Sequence, residues 1–166
     1  MALILVRHTT PDVAKGICYG RTDLALAASF ASEAEAVEAR LSGMMRDLPI
    51  LSSPLTRCRK LAERLGPHAV HAAFTEMDFG RWEGVSWDAI PREELDAWAT
   101  DFMGARPHGG ESVAQLRDRV AAGLERVPQD CVIVTHAGVI KAVAAILGHP
   151  EGWEIKPAFG EVVAFQ

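Results

Sequence analysis

The sequence predicts an α/β fold, a three-layer α/β/α sandwich with helices on both faces of a mostly parallel sheet. Three observations carry that prediction. Short apolar runs alternate with segments whose apolar residues recur at helical spacing. Residues 137–147 are apolar nearly all round except Lys141, the pattern of a helix packed between layers. No repeat, low-complexity tract or Ser/Pro-rich linker divides the chain, so residues 1–166 are expected to form a single domain.

Residues 2–6 form the first predicted strand, which opens into a Gly/Pro/Asp-containing loop over residues 9–28. Phe30, Ala34, Val37, Leu41 and Met45 then recur at helical spacing, with Ser32-x-x-Glu35 as a candidate capping box. Residues 49–52 are a second short strand. Ser53-Pro54 follows as an N-cap and first-turn pair for a helix that turns Leu55, Cys58, Ala62 and Leu65 inward and stops at Gly66-Pro67. Residues 69–73 give a third strand. The stretch 74–110 is rich in loops, with one or two short helices, and its Trp82, Trp87 and Trp98 belong either to the core or to a substrate mouth. Ser112-x-x-Gln115 caps an amphipathic helix with Val113, Leu116, Val120, Leu124 and Val127 inward. Cys131–Thr135 is a buried strand, and residues 161–165 are the last.

A composition of 49% hydrophobic and 23% charged residues is that of an ordinary globular chain and argues against disorder. At this length a chain buries about two-thirds of its unfolded surface, enough to fold without disulfide or metal. Seventeen Lys+Arg against 22 Asp+Glu give a net charge of −5 with no basic stripe, which disfavours nucleic acid and anionic membranes as partners. An anionic ligand would require positive charge gathered locally. The N-terminal apolar run is too short for a signal peptide, and no run reaches the roughly 18 residues of a bilayer span. The widely spaced Cys18, Cys58 and Cys131 read as reduced thiols, so a cytoplasmic location is expected.

The chemistry-bearing residues fall at equivalent places. Arg7 and His8 follow the first strand, Arg57 follows the second, and His136 follows Cys131–Thr135. Parallel strands gather their carboxyl ends along one edge, where α/β proteins bind ligands. Two histidines and two arginines thereby converge, and the helix bearing Arg57 offers its N-terminal N–H groups as well. The simplest ligand is a phosphate. Guanidinium forks hold phosphoryl oxygens. One neutral histidine can attack phosphorus and a second can stabilise the developing charge. A carboxylic acid must then protonate the leaving oxygen and later deprotonate a water. Glu76, Asp78 and Glu83 are all placed for that task by sequence alone. None of these roles calls for a cofactor or a metal.

The same residues carry a resemblance. Leu5-Val6-Arg7-His8, the Gly20-x-x-Asp23-x-x-Leu26 stretch and Ser52-Ser53-Pro54-Leu55-x-Arg57 resemble, in order, motifs of the histidine phosphatase (phosphoglycerate mutase-like) superfamily. So do Glu76-x-x-x-Gly80-x-Trp82-Glu83-Gly84, Gly109-Gly110-Glu111-Ser112 and Thr135-His136-Ala137-Gly138. The resemblance implies a phosphoglycerate mutase-like fold and hydrolysis of phosphomonoesters without a metal. It implies His8 as a nucleophile forming phosphohistidine and Glu76 as the proton donor. Arg7, Arg57 and His136 would form the phosphate pocket, with Tyr19 and Gly20 lining it. Thr9-Thr10-Pro11 replaces the family's usual Gly-Glu-Thr, and Pro11 removes one loop N–H donor. The loop from Thr9 to Gly20 is similar to that of the α-ribazole phosphatase-like subgroup, which implies α-ribazole 5′-phosphate of cobalamin synthesis as substrate. The alternatives are a broad-specificity phosphatase, a mutase and a non-catalytic phosphate-ligand binder. A monomer or homodimer is expected.

Overall fold

The computed structural model describes residues 1–166. Strands β1 (Leu3–Arg7), β2 (Ile50–Ser52), β3 (Ala69–Val70), β4 (Cys131–Thr135) and β5 (Val162–Phe165) form one sheet in the order β3-β2-β4-β1-β5. Pairings β1·β4, β2·β4 and β2·β3 are parallel, and only β5 runs antiparallel, on the edge beside β1. Five α-helices accompany it: α1 (Phe30–Leu41), α2 (Thr56–Leu65), α3 (Arg92–Thr100), α4 (Val113–Leu124) and α5 (Ala137–Ile146).

Strand alternation sorts the core into two layers. Ile4, Val6, Ile50, Val132 and Val134 face one way and pack with Ala34, Val37 and Leu41 of α1 and Cys58, Leu61 and Ala62 of α2. Leu3, Leu5, Leu51 and Ile133 face the other way, against Leu116 and Val120 of α4 and Val139, Ile140 and Val143 of α5. Helices therefore cover both faces, as the all-round apolar segment required. A third, smaller cluster of Cys18, Trp82 and Ile90 sits under the 74–110 segment.

Local chemistry moves several boundaries. α1 starts at Phe30, so Ser32 lies inside it and donates to the Ser29 carbonyl at 3.1 Å instead of capping. The helix ends at Leu41 because Gly43 takes φ +86°, and Met45 packs from the following turn. The third strand stops at Val70, because the His71 side chain accepts the Ala73 N–H at 3.2 Å and starts a short 3₁₀ turn. α2 begins two residues beyond Pro54. Its cap comes from the 9–28 loop, where Asp23 accepts the Thr56 N–H at 2.8 Å and the Thr56 hydroxyl at 2.9 Å. The Ser112–Gln115 capping box of α4 forms as the sequence predicts.

Candidate active site

The strand order β2-β4-β1 sets three carboxyl ends side by side, about 4.8 Å apart. The ladder continues one residue past each end: the His8 N–H bonds the Thr135 carbonyl at 3.1 Å and the Ser53 N–H bonds the Val134 carbonyl at 3.0 Å. His8 and Ser53 are thus fixed by backbone hydrogen bonds to β4, and His136 follows directly on that strand, its carbonyl accepting the Ile140 N–H at 3.0 Å. The two imidazoles meet edge to face, with centroids 5.2 Å apart.

His8 is held in one tautomer. Its Nδ1 donates to the Thr9 carbonyl at 2.7 Å, leaving Nε2 with its lone pair turned toward Arg57, whose Nε donates to it at 3.3 Å. Burial holds the His8 pKa well below the usual histidine range, and the nearby Arg57 charge adds to that. The ring is neutral at neutral pH. His136 is lowered likewise, by burial first and by His8 and Arg57 next. Its Nε2 bonds the Ser53 hydroxyl at 2.8 Å, with the Cys58 thiol 3.4 Å away.

Arg57 is fully buried, and its other two nitrogens each give one N–H to the loop, one Nη to the Thr22 carbonyl at 2.7 Å and the second to the Gly20 carbonyl at 2.6 Å, which leaves one N–H on each. Arg7 gives one Nη to the Pro157 carbonyl at 2.8 Å and lies over the Phe159 ring at 4.0 Å, while its buried Nε has no protein partner. The partnerless Arg7 Nε leaves a guanidinium donor free for an anion, in a residue that lines the same cavity as His8.

Glu76 closes the group. Its carboxylate accepts the Met77 and Gly138 N–H groups, both at 2.9 Å, yet burial outweighs these bonds and raises its pKa above the ordinary glutamate value. Gly138 lies in the first turn of α5, where N–H groups lack intrahelical partners. A Cβ there would collide with Glu76 Oε1. Arg119 fixes the backbone beneath, donating at 2.8 Å to the carbonyls of Ala73 and Thr75 and pairing with Glu111 at 2.8 Å. Asp78 instead accepts the Gly80 N–H at 2.8 Å. Glu83 accepts the Gly20 and Thr22 N–H groups at 2.9 and 2.8 Å. Both are occupied in holding loops.

These side chains floor a cavity of about 380 Å³. Arg7, His8, Tyr19, Arg57 and Glu76 line it; Gly20 and His136 do not. Gly20 sits behind the wall, its carbonyl on Arg57 and its N–H on Glu83, and a Cβ there would strike the Met77 carbonyl. His136 lies behind His8, with no exposed surface. The N-terminus of α2 is not free for an anion, since Asp23 occupies it. The walls are largely apolar and include Phe79, Trp87, Trp98, Phe102 and Trp153. The three tryptophans of 74–110 divide, Trp82 into the core and Trp87 and Trp98 into the wall. Sequence reasoning misses Trp153 and Phe102, because no periodicity marks a wall residue on a turn. No group of three or more His, Cys, Asp or Glu side chains is arranged to hold a metal ion.

The family model "Histidine phosphatase superfamily (branch 1)" matches residues 3–158. The chain belongs to that superfamily. This histidine phosphatase superfamily member is 30% identical over 165 residues to the adenosylcobalamin/α-ribazole phosphatase of Salmonella typhimurium, covering 89% of this chain and 79% of that one. It is 28% identical over 157 residues to the metal-independent phosphoserine phosphatase of Arabidopsis thaliana, covering 85% and 66%. Among solved structures it resembles the phosphoglycerate mutase of Thermus thermophilus, with TM-score 0.82, 34% identity and coverage of 99% and 92%. The superfamily assignment makes phosphatase or mutase-like chemistry its function, and the phosphoglycerate mutase-like α/β fold is that of its neighbours. No helix of this superfamily member is long and apolar enough to cross a membrane.

Proposed function

We propose that the protein hydrolyses phosphomonoesters through a phosphohistidine on His8, and that α-ribazole 5′-phosphate is its substrate. His8 Nε2 carries the lone pair that attacks phosphorus as the bond to the leaving oxygen breaks. Glu76, whose burial favours the protonated form, gives its proton to that oxygen. A water then attacks the phosphohistidine, Glu76 takes back a proton, and the N–P bond breaks to release phosphate. Arg7 and Arg57 hold the phosphoryl oxygens, with Tyr19 beside the Arg57 guanidinium at 5.3 Å. His136, fixed by Ser53, supports the charge that develops around phosphorus. Gly20 acts through its carbonyl on Arg57. No step draws on a cofactor or metal.

One observation carries the substrate: a cationic floor walled by five aromatic side chains, Phe79, Trp87, Trp98, Phe102 and Trp153, with Glu76 the sole acid among the lining residues. Those walls suit a planar, largely apolar leaving group such as the benzimidazole of α-ribazole. They offer no carboxylate for the ammonium of phosphoserine. The Salmonella relative's name points the same way.

The test is a turnover screen of α-ribazole 5′-phosphate, phosphoserine and 3-phosphoglycerate, following inorganic phosphate and phosphorylated isomers. Burying one aromatic ring is worth roughly 1.5–3 kcal/mol, so kcat/KM for α-ribazole 5′-phosphate is expected at least about tenfold above phosphoserine. Equal rates on all three overturn the substrate assignment. A phosphorylated isomer accumulating without free phosphate overturns hydrolysis in favour of a mutase.

A further inference from the structure

Lys141 interrupts an otherwise apolar helix, and its position accounts for the interruption. Residues three and four apart share a helix face, so Ala137 and Gly138 stand on the same face of α5 as Lys141. All three line the cavity. The first two are small and leave room beside His8 and Glu76. One turn further along, the face presents half-buried Lys141 to a chamber lined also by Phe102, Leu116 and Trp153. Lys141 has no hydrogen bond or ion pair within the protein, whereas Arg7, Arg57 and Arg119 are each tied to carbonyls. A helix rises about 1.5 Å per residue, which sets Lys141 roughly 7 Å along the axis from His136 at the strand end. It lies beyond the floor that holds phosphorus.

We infer that Lys141 is a specificity-determining residue: it reads a hydrogen-bond acceptor or anionic group on the leaving group, at the end remote from phosphorus. The inference rests on the phosphomonoester reading of this cavity and narrows its substrate class to aromatic phosphomonoesters bearing such an acceptor. An apolar wall alone accepts any planar leaving group of the right size. A cation with no partner of its own penalises one that offers no acceptor, because the ammonium then loses water for nothing.

Binding of non-hydrolysable phosphonates separates this from turnover. Dissociation constants of benzylphosphonate and 4-carboxybenzylphosphonate are measured by calorimetry for the wild type, Lys141→Met and Lys141→Arg. A charge-assisted hydrogen bond in a partly desolvated site predicts that the wild type prefers the carboxylated compound about tenfold or more. Lys141→Met is expected to erase that preference without weakening benzylphosphonate, while Lys141→Arg retains it. No preference in the wild type, a preference that survives in Lys141→Met, or equal weakening of both compounds by that change overturns the inference. If neither phosphonate binds the wild type, the phosphate floor itself is refuted along with this narrowing. Phosphonate binding with the stated preference but no phosphomonoester turnover would leave Lys141's role standing and remove only the hydrolase reading.

Discussion

The smallest unit that matters here is a single proton on each of two side chains. His8 is neutral because burial and Arg57 oppose its charge, and Glu76 tends to keep its proton because burial outweighs two backbone N–H donors. Each is shifted toward the form its proposed task requires. The sign of the pH dependence follows. Activity in kcat/KM falls on the acid side only as pH drops through the lowered His8 pKa, and on the alkaline side as pH rises through the raised Glu76 pKa. Glu76→Gln is expected to lower kcat by about 10²–10⁴-fold and to abolish the alkaline limb, since an amide has no such proton to lose. A pH profile of the variant whose alkaline limb is unchanged would assign that limb elsewhere. At this scale the sequence was partly legible. Strand-end position alone picked out Arg7, His8, Arg57 and His136. It did not separate Glu76 from Asp78 and Glu83, because the difference lies in which backbone N–H groups each carboxylate meets, and those belong to residues both near and distant along the chain.

At the scale of elements, two helix N-termini are occupied by remote carboxylates, Asp23 at α2 and Glu76 at α5. The first fixes the helix that carries Arg57 in its first turn, and the second fixes the proposed acid. Periodicity found both helices but not their caps, since Asp23 lies 33 residues before Thr56 and Glu76 lies 62 before Gly138. The same blindness hid Trp153 and the close approach at Gly138. Ala is a better helix former than Gly by about 0.5–1 kcal/mol, so Gly138→Ala is not expected to weaken α5 itself. Its Cβ would push the Glu76 carboxylate out of place. A misplacement of about 1 Å in a catalytic group can cost on the order of 10²-fold. The expected outcome is kcat reduced about 10–100-fold with Tm within a few degrees of wild type. Matched losses of Tm and activity would show that the glycine serves packing alone.

Across the whole molecule, the parallel β2-β4-β1 order is what brings three distant stretches of sequence, carrying Arg7 and His8, Arg57, and His136, to one edge of the sheet. Alternation of apolar runs with helical spacing made that sheet and its two helix layers readable in advance, because burial on both faces leaves a continuous apolar signature. The 380 Å³ cavity above it was not readable, because its wall is assembled from turns and short helices whose order comes from tertiary packing. The account as a whole depends on one transient covalent bond. Rapid quenching of a single turnover with ³²P-labelled α-ribazole 5′-phosphate, or with a labelled aryl phosphate, measures it directly. The label should be acid-labile, alkali-stable, confined to the peptide containing His8, and absent with turnover from a folded His8→Ala variant. Label on another side chain, or turnover that persists in His8→Ala, would contradict the account.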